Sequence, residues 1–407
     1  MLLDDNRLFD AEPNSRRVAR ELYDGIKGLP LISPHGHTEP RWYAENLPFP
    51  DPAQLLIVPD HYVFRMLFSQ GVRLEDLGVP TADGFAVEQD GRKIWRLFAE
   101  HYYLFRGTPT RLWLDHTLET LFGVHDRLTP TTADAIYDQI ADCLGRPEFL
   151  PRALYERFNI EVISTTDAAL DPLVWHKQIR DSGWKGRVVP AYRPDSVVDP
   201  DFQGFAENLD KLGEITGLDT GHWPGYLDAH RQRRAYFRQM GATSTDHGHP
   251  TAETADLLPK EAGALFDKVR TGRADARDKA LFRAQMLTEM ARMSADDGLV
   301  MQIHPGSWRN HSPGMLQRFG RDKGFDIPTR TDYVGALKPL LDAVGTDPNL
   351  TVVLFTLDET GYARELAPLA GVYPALRLGP PWWFHDSPEG MRRFREMATE
   401  TAGFYNT

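Results

Sequence analysis

The sequence predicts an α/β protein of the (β/α)8 TIM-barrel type, and two observations lead to this class. After about residue 156, short apolar runs typical of strands alternate with amphipathic stretches typical of helices, which indicates a parallel sheet. Most of the strand candidates also end in a polar residue. A barrel gathers such residues from many strand ends, whereas a doubly wound sheet gathers its ligands at one switch point. The pattern therefore favours the barrel.

The first strand candidate, residues 31–33, leads directly into a His-Gly-His motif. Because side chains at i and i+2 of a strand point to the same face, His35 and His37 would converge on one point. Converging imidazoles suit a divalent cation, and the single cysteine, Cys143, lies alone in a predicted helix, which excludes a thiolate site. We therefore predict that His35 and His37 bind one divalent metal ion, with zinc as the expected metal.

Six further strand candidates follow along the chain. They are residues 161–167, 187–193, 242–247, 299–304, 350–355 and 375–379, with helices expected at about 172–181, 201–217, 275–295 and 389–402. The residues at or just after their ends are Asp167, Arg193, Asp246 with His247, His304, Asp358 and the 382–386 stretch.

A helical insertion is predicted between the first and second strands. It comprises residues 41–156, so the barrel domain is expected to comprise residues 1–40 and 157–407. A dense aromatic stripe at 95–105 is interpreted as core packing. A further helix is expected at 132–144.

One helix of the insertion carries residues able to do chemistry. Asp60 can cap its N-terminus and Gly71 can end it, which puts His61 and Tyr62 in the first turn. On residue pattern alone, a capped helix whose histidine hydrogen-bonds locally explains the stretch equally well.

Composition limits the class of partner. The chain has 407 residues and a net charge of -12, which argues against nucleic acid and means that an anionic substrate would need locally placed arginines. The single cysteine excludes an intrachain disulfide and suggests a reducing compartment. The N-terminus lacks a signal-peptide core, and no apolar run approaches the roughly 20 residues that span a bilayer. We expect a cytoplasmic enzyme that does not bind a membrane.

Residues 60–71, taken together with the His-Gly-His motif, resemble the uronate isomerase (glucuronate isomerase) family of the amidohydrolase superfamily. Further matching motifs are Arg193-Pro194-Asp195, Ser244-Thr245-Asp246-His247-Gly248, Gln302-Ile303-His304-Pro305-Gly306, Arg309-Asn310, and Trp382-Trp383-Phe384 before Asp386. These motifs are ordered and widely separated, and the resemblance extends from about Leu8 to the last residue.

The resemblance implies an aldose–ketose isomerase, an intramolecular oxidoreductase whose substrate is a hexuronate. Such enzymes interconvert D-glucuronate with D-fructuronate and D-galacturonate with D-tagaturonate. His61 and Tyr62 match the family's catalytic pair, which would polarise the carbonyl oxygen and relay the proton between C2 and C1. Arg193 is expected to clamp the substrate carboxylate, because its planar guanidinium matches a carboxylate. The other expected substrate contacts are Arg65, Asp246, His247, His304, Arg309 and Trp382. We also expect a homo-oligomer.

The chain departs from the family at its end. Family members continue into an eighth strand that bears an aspartate and, two residues later, an arginine, and nothing before Thr407 matches them. That aspartate completes the family's metal site and is its best candidate for the proton-transferring base. We therefore expect that the final strand and the C-terminal helices are missing from this chain.

Two alternatives stay open at this point. The first is a metal-dependent hydrolase on the same barrel, in which His304 would be a direct metal ligand rather than a substrate contact. The second is an inactive fragment that only binds sugar acids.

Overall fold

The computed structural model has a mixed α/β architecture and describes residues 3–382 and 387–400. The 383–386 part of the predicted 382–386 site stretch therefore lies outside the described residues. In chain order the helices are α1 (Pro13–Ile26), α2 (Pro40–Glu45), α3 (Pro52–Leu56), α4 (His61–Ser69), α5 (Gly91–His101), α6 (Pro109–His116), α7 (Ala133–Leu144), α8 (Pro151–Arg157), α9 (Val174–Asp181), α10 (Asp195–Val198), α11 (Phe205–Thr216), α12 (Trp223–Gln239), α13 (Pro259–Arg270), α14 (Ala276–Asp297), α15 (Pro313–Phe319), α16 (Lys338–Val344), α17 (Ala367–Val372) and α18 (Pro388–Glu400).

The strands are short, and most lie in the second half of the chain. They are β1 (Leu31–Ser33), β2 (Ile160–Ser164), β3 (Asp167–Ala168), β4 (Arg187–Val189), β5 (Tyr192–Arg193), β6 (Ser244–His247), β7 (Val300–Ile303), β8 (Ser307–Trp308), β9 (Ile327–Pro328), β10 (Val352–Leu354) and β11 (Leu376–Leu378). Single turns of 3-10 or π helix occur at Glu75–Leu77, Tyr102–Phe105, Thr117–Leu121, Pro147–Phe149, Glu359–Gly361 and Tyr362–Leu366.

The described residues form two compact units. The helical unit contains the residues before Ile32 together with Glu45–Ile160 and Trp308–Ile327. The sheet unit contains Ile32–Ala44, Glu161–Ser307 and the residues from Pro328 onward. Each unit buries its own cluster of apolar side chains.

The helical unit packs around the aromatic stripe at 95–105. Trp95, Phe98, Tyr102 and Phe105 are almost completely buried in its core, which agrees with the interpretation of the stripe as core packing. Tyr103 is the exception, since 57% of it is exposed. Its position, one residue after Tyr102, turns it away from the buried face.

The sheet unit is built on parallel strands. Its six-stranded sheet has the order β11-β10-β7-β6-β5-β3, and every neighbouring pair in it is parallel. A second sheet has the order β1-β2-β4, and β8 pairs with β9 in a two-stranded sheet. Apart from β4, β8 and β9, which belong to the other two sheets, strands next to each other in the main sheet follow each other along the chain. Parallel neighbours of this kind need crossover connections.

Two of the predicted strands are interrupted. The 161–167 run is split into β2 and β3, and the 187–193 run into β4 and β5. The backbone stays paired across both breaks, since the Thr165 N–H donates to Val189 O and the Ala191 N–H donates to Thr165 O, at 2.9 and 3.0 Å. The two sheets therefore continue into each other through these interruptions.

Helices of the sheet unit supply its apolar layer. The long α14 buries Phe282, Met286 and Met290, and it spans two residues more at its C-terminus than the predicted 275–295 helix. The helices α12 and α13 were not predicted from the sequence, although both are well formed. Within the described ranges, every helix is too short or too polar to cross a lipid bilayer.

Candidate metal centre and active-site residues

The His-Gly-His segment follows β1 directly. The rings of His35 and His37 lie beside each other, with centroids 5.1 Å apart and planes nearly perpendicular. Gly36 has little room for a side chain, because a Cβ there would lie 3.1 Å from Ser164 O. The role of both histidines as metal ligands stays a prediction.

His35 belongs to a cluster with two residues from neighbouring strands. Asp246 lies in β6, and His304 follows the last residue of β7. One ligand atom from each of the three residues lies within 4.8 Å of the others. Because the neighbouring parallel strands β6 and β7 end at the same edge of the sheet, residues near their ends lie close together. From the sequence, Asp246 was predicted to contact substrate, and His304 was left as either a substrate contact or a metal ligand.

The atoms of this cluster that could ligate a metal make no hydrogen bonds to other described residues. Among the described residues, His35 Nδ1, Asp246 Oδ1 and His304 Nδ1 are buried without a hydrogen-bond partner. Asp246 Oδ1 and His304 Nδ1 are 2.7 Å apart, but their orientation does not satisfy hydrogen-bond geometry. Buried polar atoms rarely stay unsatisfied, and a bound ion is one explanation. Two imidazoles and a carboxylate are a ligand set that Zn²⁺ accepts, so these residues fit a divalent cation.

Electrostatics prepare the cluster for a cation. Burial alone would raise the pKa of Asp246, but the neighbouring His304 and Arg193 outweigh it and hold that pKa well below its ordinary value. Burial lowers the pKa of His35 to about 4. A metal ligand must be ionised if it is a carboxylate and neutral if it is an imidazole, so both groups have the required protonation state at neutral pH.

Aromatic rings fix His304. Its imidazole stacks on Phe355 with centroids 4.2 Å apart, and the Trp382 ring lies edge-on at 5.1 Å. Trp382 thus lies beside the cluster, and its predicted contact with substrate stays a prediction.

Arg193 is already engaged by two aspartates. Its Nε donates to Asp195 Oδ2 at 2.8 Å, and its Nη1 lies 3.2 Å from Asp246 Oδ2. The contact with Asp246 stabilises the negative charge of that carboxylate. They do not test the predicted clamp on a substrate carboxylate, which stays a prediction.

His247 has a different environment from its neighbour in the sequence. Its side chain is fully buried, and its Nε2 lies 2.9 Å from Thr245 Oγ1. Burial lowers its pKa to about 3, so the ring is neutral at physiological pH. Its predicted contact with substrate is likewise untested.

The helical unit gathers the other predicted residues. Asp60 caps α4 as expected, because its carboxylate accepts hydrogen bonds from the Tyr62 and Val63 N–H groups at 2.8 and 3.4 Å. The rings of His61 and Tyr62 stack with centroids 4.8 Å apart. Burial lowers the pKa of His61, which favours its neutral form.

Two arginines accompany this pair within the helical unit. Arg65 Nη1 donates to Gly324 O at 3.3 Å, and Arg309 Nη1 donates to Asp326 Oδ2 at 3.0 Å. A Cβ at Gly324, whose φ is +74°, would lie 3.1 Å from the Cβ of His61, so this loop packs closely on the start of α4. Within this unit, residues predicted from separate motifs therefore lie in one region.

Three residues of these regions were not predicted from the sequence to have a role. Asp195 and Gln302 lie inside the family-like motifs, next to Arg193 and close to His304. Asp326 has no local signal, because it follows no strand and lies in no quoted motif. Its pairing with Arg309 spans 17 residues and emerges only from the fold.

Comparison with known proteins gives a consistent result. The family model for glucuronate isomerase matches residues 9–403. A uronate isomerase of Mesorhizobium japonicum and another of Rhizobium meliloti are each 74% identical over 406 residues, which covers 100% of this chain and 87% of each relative. The crystal structure of glucuronate isomerase from Caulobacter crescentus, 56% identical, superposes with a TM-score of 0.97 over 100% of this chain and 84% of that one. The uronate isomerase structure from Thermotoga maritima, 26% identical, gives 0.90 over 98% and 85%.

Proposed function

The chain belongs to the glucuronate isomerase family, and from this premise we propose how its residues carry out the isomerisation. It is a uronate isomerase, an enzyme of the aldose–ketose class. Its proposed substrates are D-glucuronate and D-galacturonate, which it would convert to D-fructuronate and D-tagaturonate. The observation that carries this conclusion is the family match over residues 9–403, almost the whole chain.

We propose that the sheet unit is part of a TIM barrel. Apart from β4, β8 and β9, which lie in the other two sheets, strands that neighbour each other in the main sheet follow each other along the chain from β3 to β11. This singly wound order is the order of a barrel, whereas a doubly wound sheet reverses direction at its centre. The residues of the proposed metal centre would then lie at the carboxyl ends of the strands.

The proposed metal centre consists of His35, Asp246 and His304, with His37 as the further ligand predicted from the sequence. Three buried atoms that could ligate a metal, one from each residue of the His35, Asp246 and His304 cluster, have no hydrogen-bond partner in the described part of the chain and support this assignment. A bound divalent cation, which we propose to be zinc, would supply positive charge to sugar oxygens as negative charge develops on them. Arg193 would keep Asp246 ionised through their 3.2 Å contact.

His61 and Tyr62 are proposed to move protons. The isomerisation transfers a hydrogen from C2 to C1 and a proton from the C2 hydroxyl to the C1 oxygen, through an enediol. A neutral imidazole can accept one proton and donate another, and the lowered pKa of His61 keeps its ring neutral. The Tyr62 hydroxyl, on the neighbouring stacked ring, would donate a hydrogen bond to the carbonyl oxygen.

Recognition of the uronate carboxylate is proposed for the arginines. Arg193, Arg65 and Arg309 are the candidates, and each is only partly exposed. A guanidinium that is partly withdrawn from water binds a carboxylate more strongly than an exposed one does. The net charge of -12 makes such local cations necessary.

The relatives described above are all uronate isomerases, which favours isomerisation over hydrolysis. The hydrolase alternative requires that His304 bind the metal, and His304 does lie in the proposed metal centre. Membership of the cluster is therefore compatible with both reactions. The whole-chain family match decides between them.

The reaction is tested directly by NMR. The protein, loaded with Zn²⁺, is incubated with D-glucuronate in buffered D₂O, and the anomeric proton signals of the aldose are followed. We expect these signals to decay while those of a ketose appear. Persistence of the aldose, with or without a hydrolysed product from a lactone substrate, would contradict the proposal.

Two further properties are the cellular compartment and the oligomeric state. We propose that the protein is cytoplasmic, since the single cysteine suits a reducing compartment. We also propose that it is a homo-oligomer. Light scattering of the purified protein would measure its mass, and a mass of one chain, 46.2 kDa, would contradict oligomerisation.

A further inference from the structure

The segment that carries His35 is held by two side chains to which the proposed reaction assigns no role. The Thr166 hydroxyl donates a hydrogen bond to Gly36 O at 2.9 Å. The Gln302 amide donates another to Pro34 O at 3.3 Å. These carbonyls belong to the residues immediately before and after His35, so the two hydrogen bonds flank it.

We propose that Thr166 and Gln302 are positioning residues that fix His35 for metal binding by holding the two backbone carbonyls beside it. This inference rests on the proposed metal centre. Partners of this kind orient a ligand before the ion arrives, and their loss commonly reduces metal affinity about 10–100-fold.

Thr166 can act as a fixed point because the residues on either side of it are anchored. The Thr165 hydroxyl lies 2.6 Å from Asp167 Oδ2 and 2.8 Å from His176 Nε2, and all three of these residues are buried. The Asp167 N–H also donates to Ala191 O in the next strand run, at 3.1 Å. The backbone around Thr166 is therefore tied both to the interior and to the sheet.

Gln302 connects the segment to the other side of the cluster. It lies in β7, is only 4% exposed, and occupies the register position opposite Asp246 of β6. His304 follows two residues later on the same strand run. The amide therefore ties the backbone beside His35 to the strand that carries a second candidate ligand.

Gly36 completes the restraint. A Cβ at this position would lie 3.1 Å from Ser164 O, which is closer than most real Cβ contacts. The backbone at His35 is thus confined by the close approach of Ser164 O to Gly36 and by the two hydrogen bonds to Gly36 O and Pro34 O. Few alternative backbone positions are therefore left for His35, from which its imidazole extends.

The experiment measures metal binding rather than turnover. Metal-depleted protein is titrated with Co²⁺ in competition with a chromophoric chelator, and the visible absorption of bound Co²⁺ reports the ligand geometry. Four variants are compared with the parent protein: Thr166→Val, Gln302→Met, Thr166→Ser and Thr220→Val. Thr220 is the matched control, because its buried hydroxyl donates to Leu209 O at 2.9 Å, away from the cluster.

We expect Thr166→Val and Gln302→Met to bind Co²⁺ about 10–100-fold more weakly, with an altered spectrum. Thr166→Ser restores the hydroxyl and should recover near-parental affinity and the parental spectrum. Thr220→Val should lower the unfolding temperature without weakening metal binding. Unfolding curves of all metal-free variants show whether each one is folded.

Parental affinity in both Thr166→Val and Gln302→Met would refute the positioning role while leaving the metal centre intact. An equal loss in Thr220→Val would refute it as well, because the effect would then be general destabilisation. A parent protein that binds no Co²⁺ would instead overturn the metal centre, and this inference with it. The two failures are therefore distinguishable.

Discussion

The change Asp246→Asn tests the proposed metal centre most sharply among single substitutions. It removes one charge and keeps nearly the same shape in a fully buried position. The carboxylate now lies 2.7 Å from His304 Nδ1 and 3.2 Å from Arg193 Nη1. If Asp246 is a metal ligand, the amide should bind the ion far more weakly than the carboxylate.

The magnitude follows from these contacts. At an effective dielectric constant of about 20, a charge pair 3.2 Å apart attracts with about 5 kcal/mol. Much of this gain is offset by the cost of burying the carboxylate, and Arg193 keeps its second partner, Asp195. We therefore expect the metal-free variant to lose about 3 kcal/mol of unfolding free energy or less. Its metal affinity should fall by more than the 10–100-fold typical of residues that only support a ligand.

The assay combines urea unfolding of the metal-free proteins with the chelator competition. Asp297→Asn is the matched control, because Asp297 Oδ2 lies 2.6 Å from Nε of the fully buried Arg234. The control should lose comparable stability and keep its metal affinity. A metal affinity of Asp246→Asn within tenfold of the parent would refute the reasoning, since Asp246 would then not be a ligand.

Three further predictions concern substrate recognition, proton transfer and pH. Arg193→Met should weaken the binding of uronates by about 2–5 kcal/mol and the binding of a neutral aldose far less. Equal losses of kcat/KM for the two sugars in steady-state kinetics would assign the arginine a purely structural role. His61→Asn and Tyr62→Phe should each lower kcat about 10²–10⁴-fold with folding and metal content retained, and unchanged kcat in both would remove the pair from the mechanism. Burial lowers the pKa of His230 to about 3, so the unfolded chain takes up a proton below pH 6.5 that the folded chain refuses, and stability is lost as the pH falls. His230→Asn should therefore cost about 2 kcal/mol less unfolding free energy at pH 5 than at pH 7, and a cost independent of pH would contradict the assigned pKa.

Local sequence patterns predicted much of the fold. The apolar run at 299–304 became β7, and the periodic stretch at 275–295 became α14, because each pattern favours one secondary structure strongly. The breaks between β2 and β3 and between β4 and β5 were not predictable. They depend on how neighbouring strands pair, as in the hydrogen bond from Thr165 N–H to Val189 O.

In the candidate site too, local patterns could be predicted from the sequence and contacts between distant segments could not. The sequence singled out His35 and His37 by their two-residue spacing after the first strand candidate. Both lie after the end of β1 (Leu31–Ser33), and their role as a pair of metal ligands stays a prediction. The approach of Asp246 to His304 joins two strand ends that are 58 positions apart in the sequence, and neither motif contains information about the other. The ion pairs of Arg193 with Asp195 and Asp246 were not predicted, because no local pattern distinguishes an arginine held by internal carboxylates from one that binds a substrate.

The central claim is that His35, Asp246 and His304 bind the metal ion on which isomerisation depends. The most direct measurement is a titration of metal-depleted protein with Zn²⁺ while the conversion of D-glucuronate is followed. We expect negligible turnover without metal and a linear rise in turnover that levels off at about one Zn²⁺ per chain. Full turnover before any metal is added, or a rise unchanged in Asp246→Asn, would contradict the central claim.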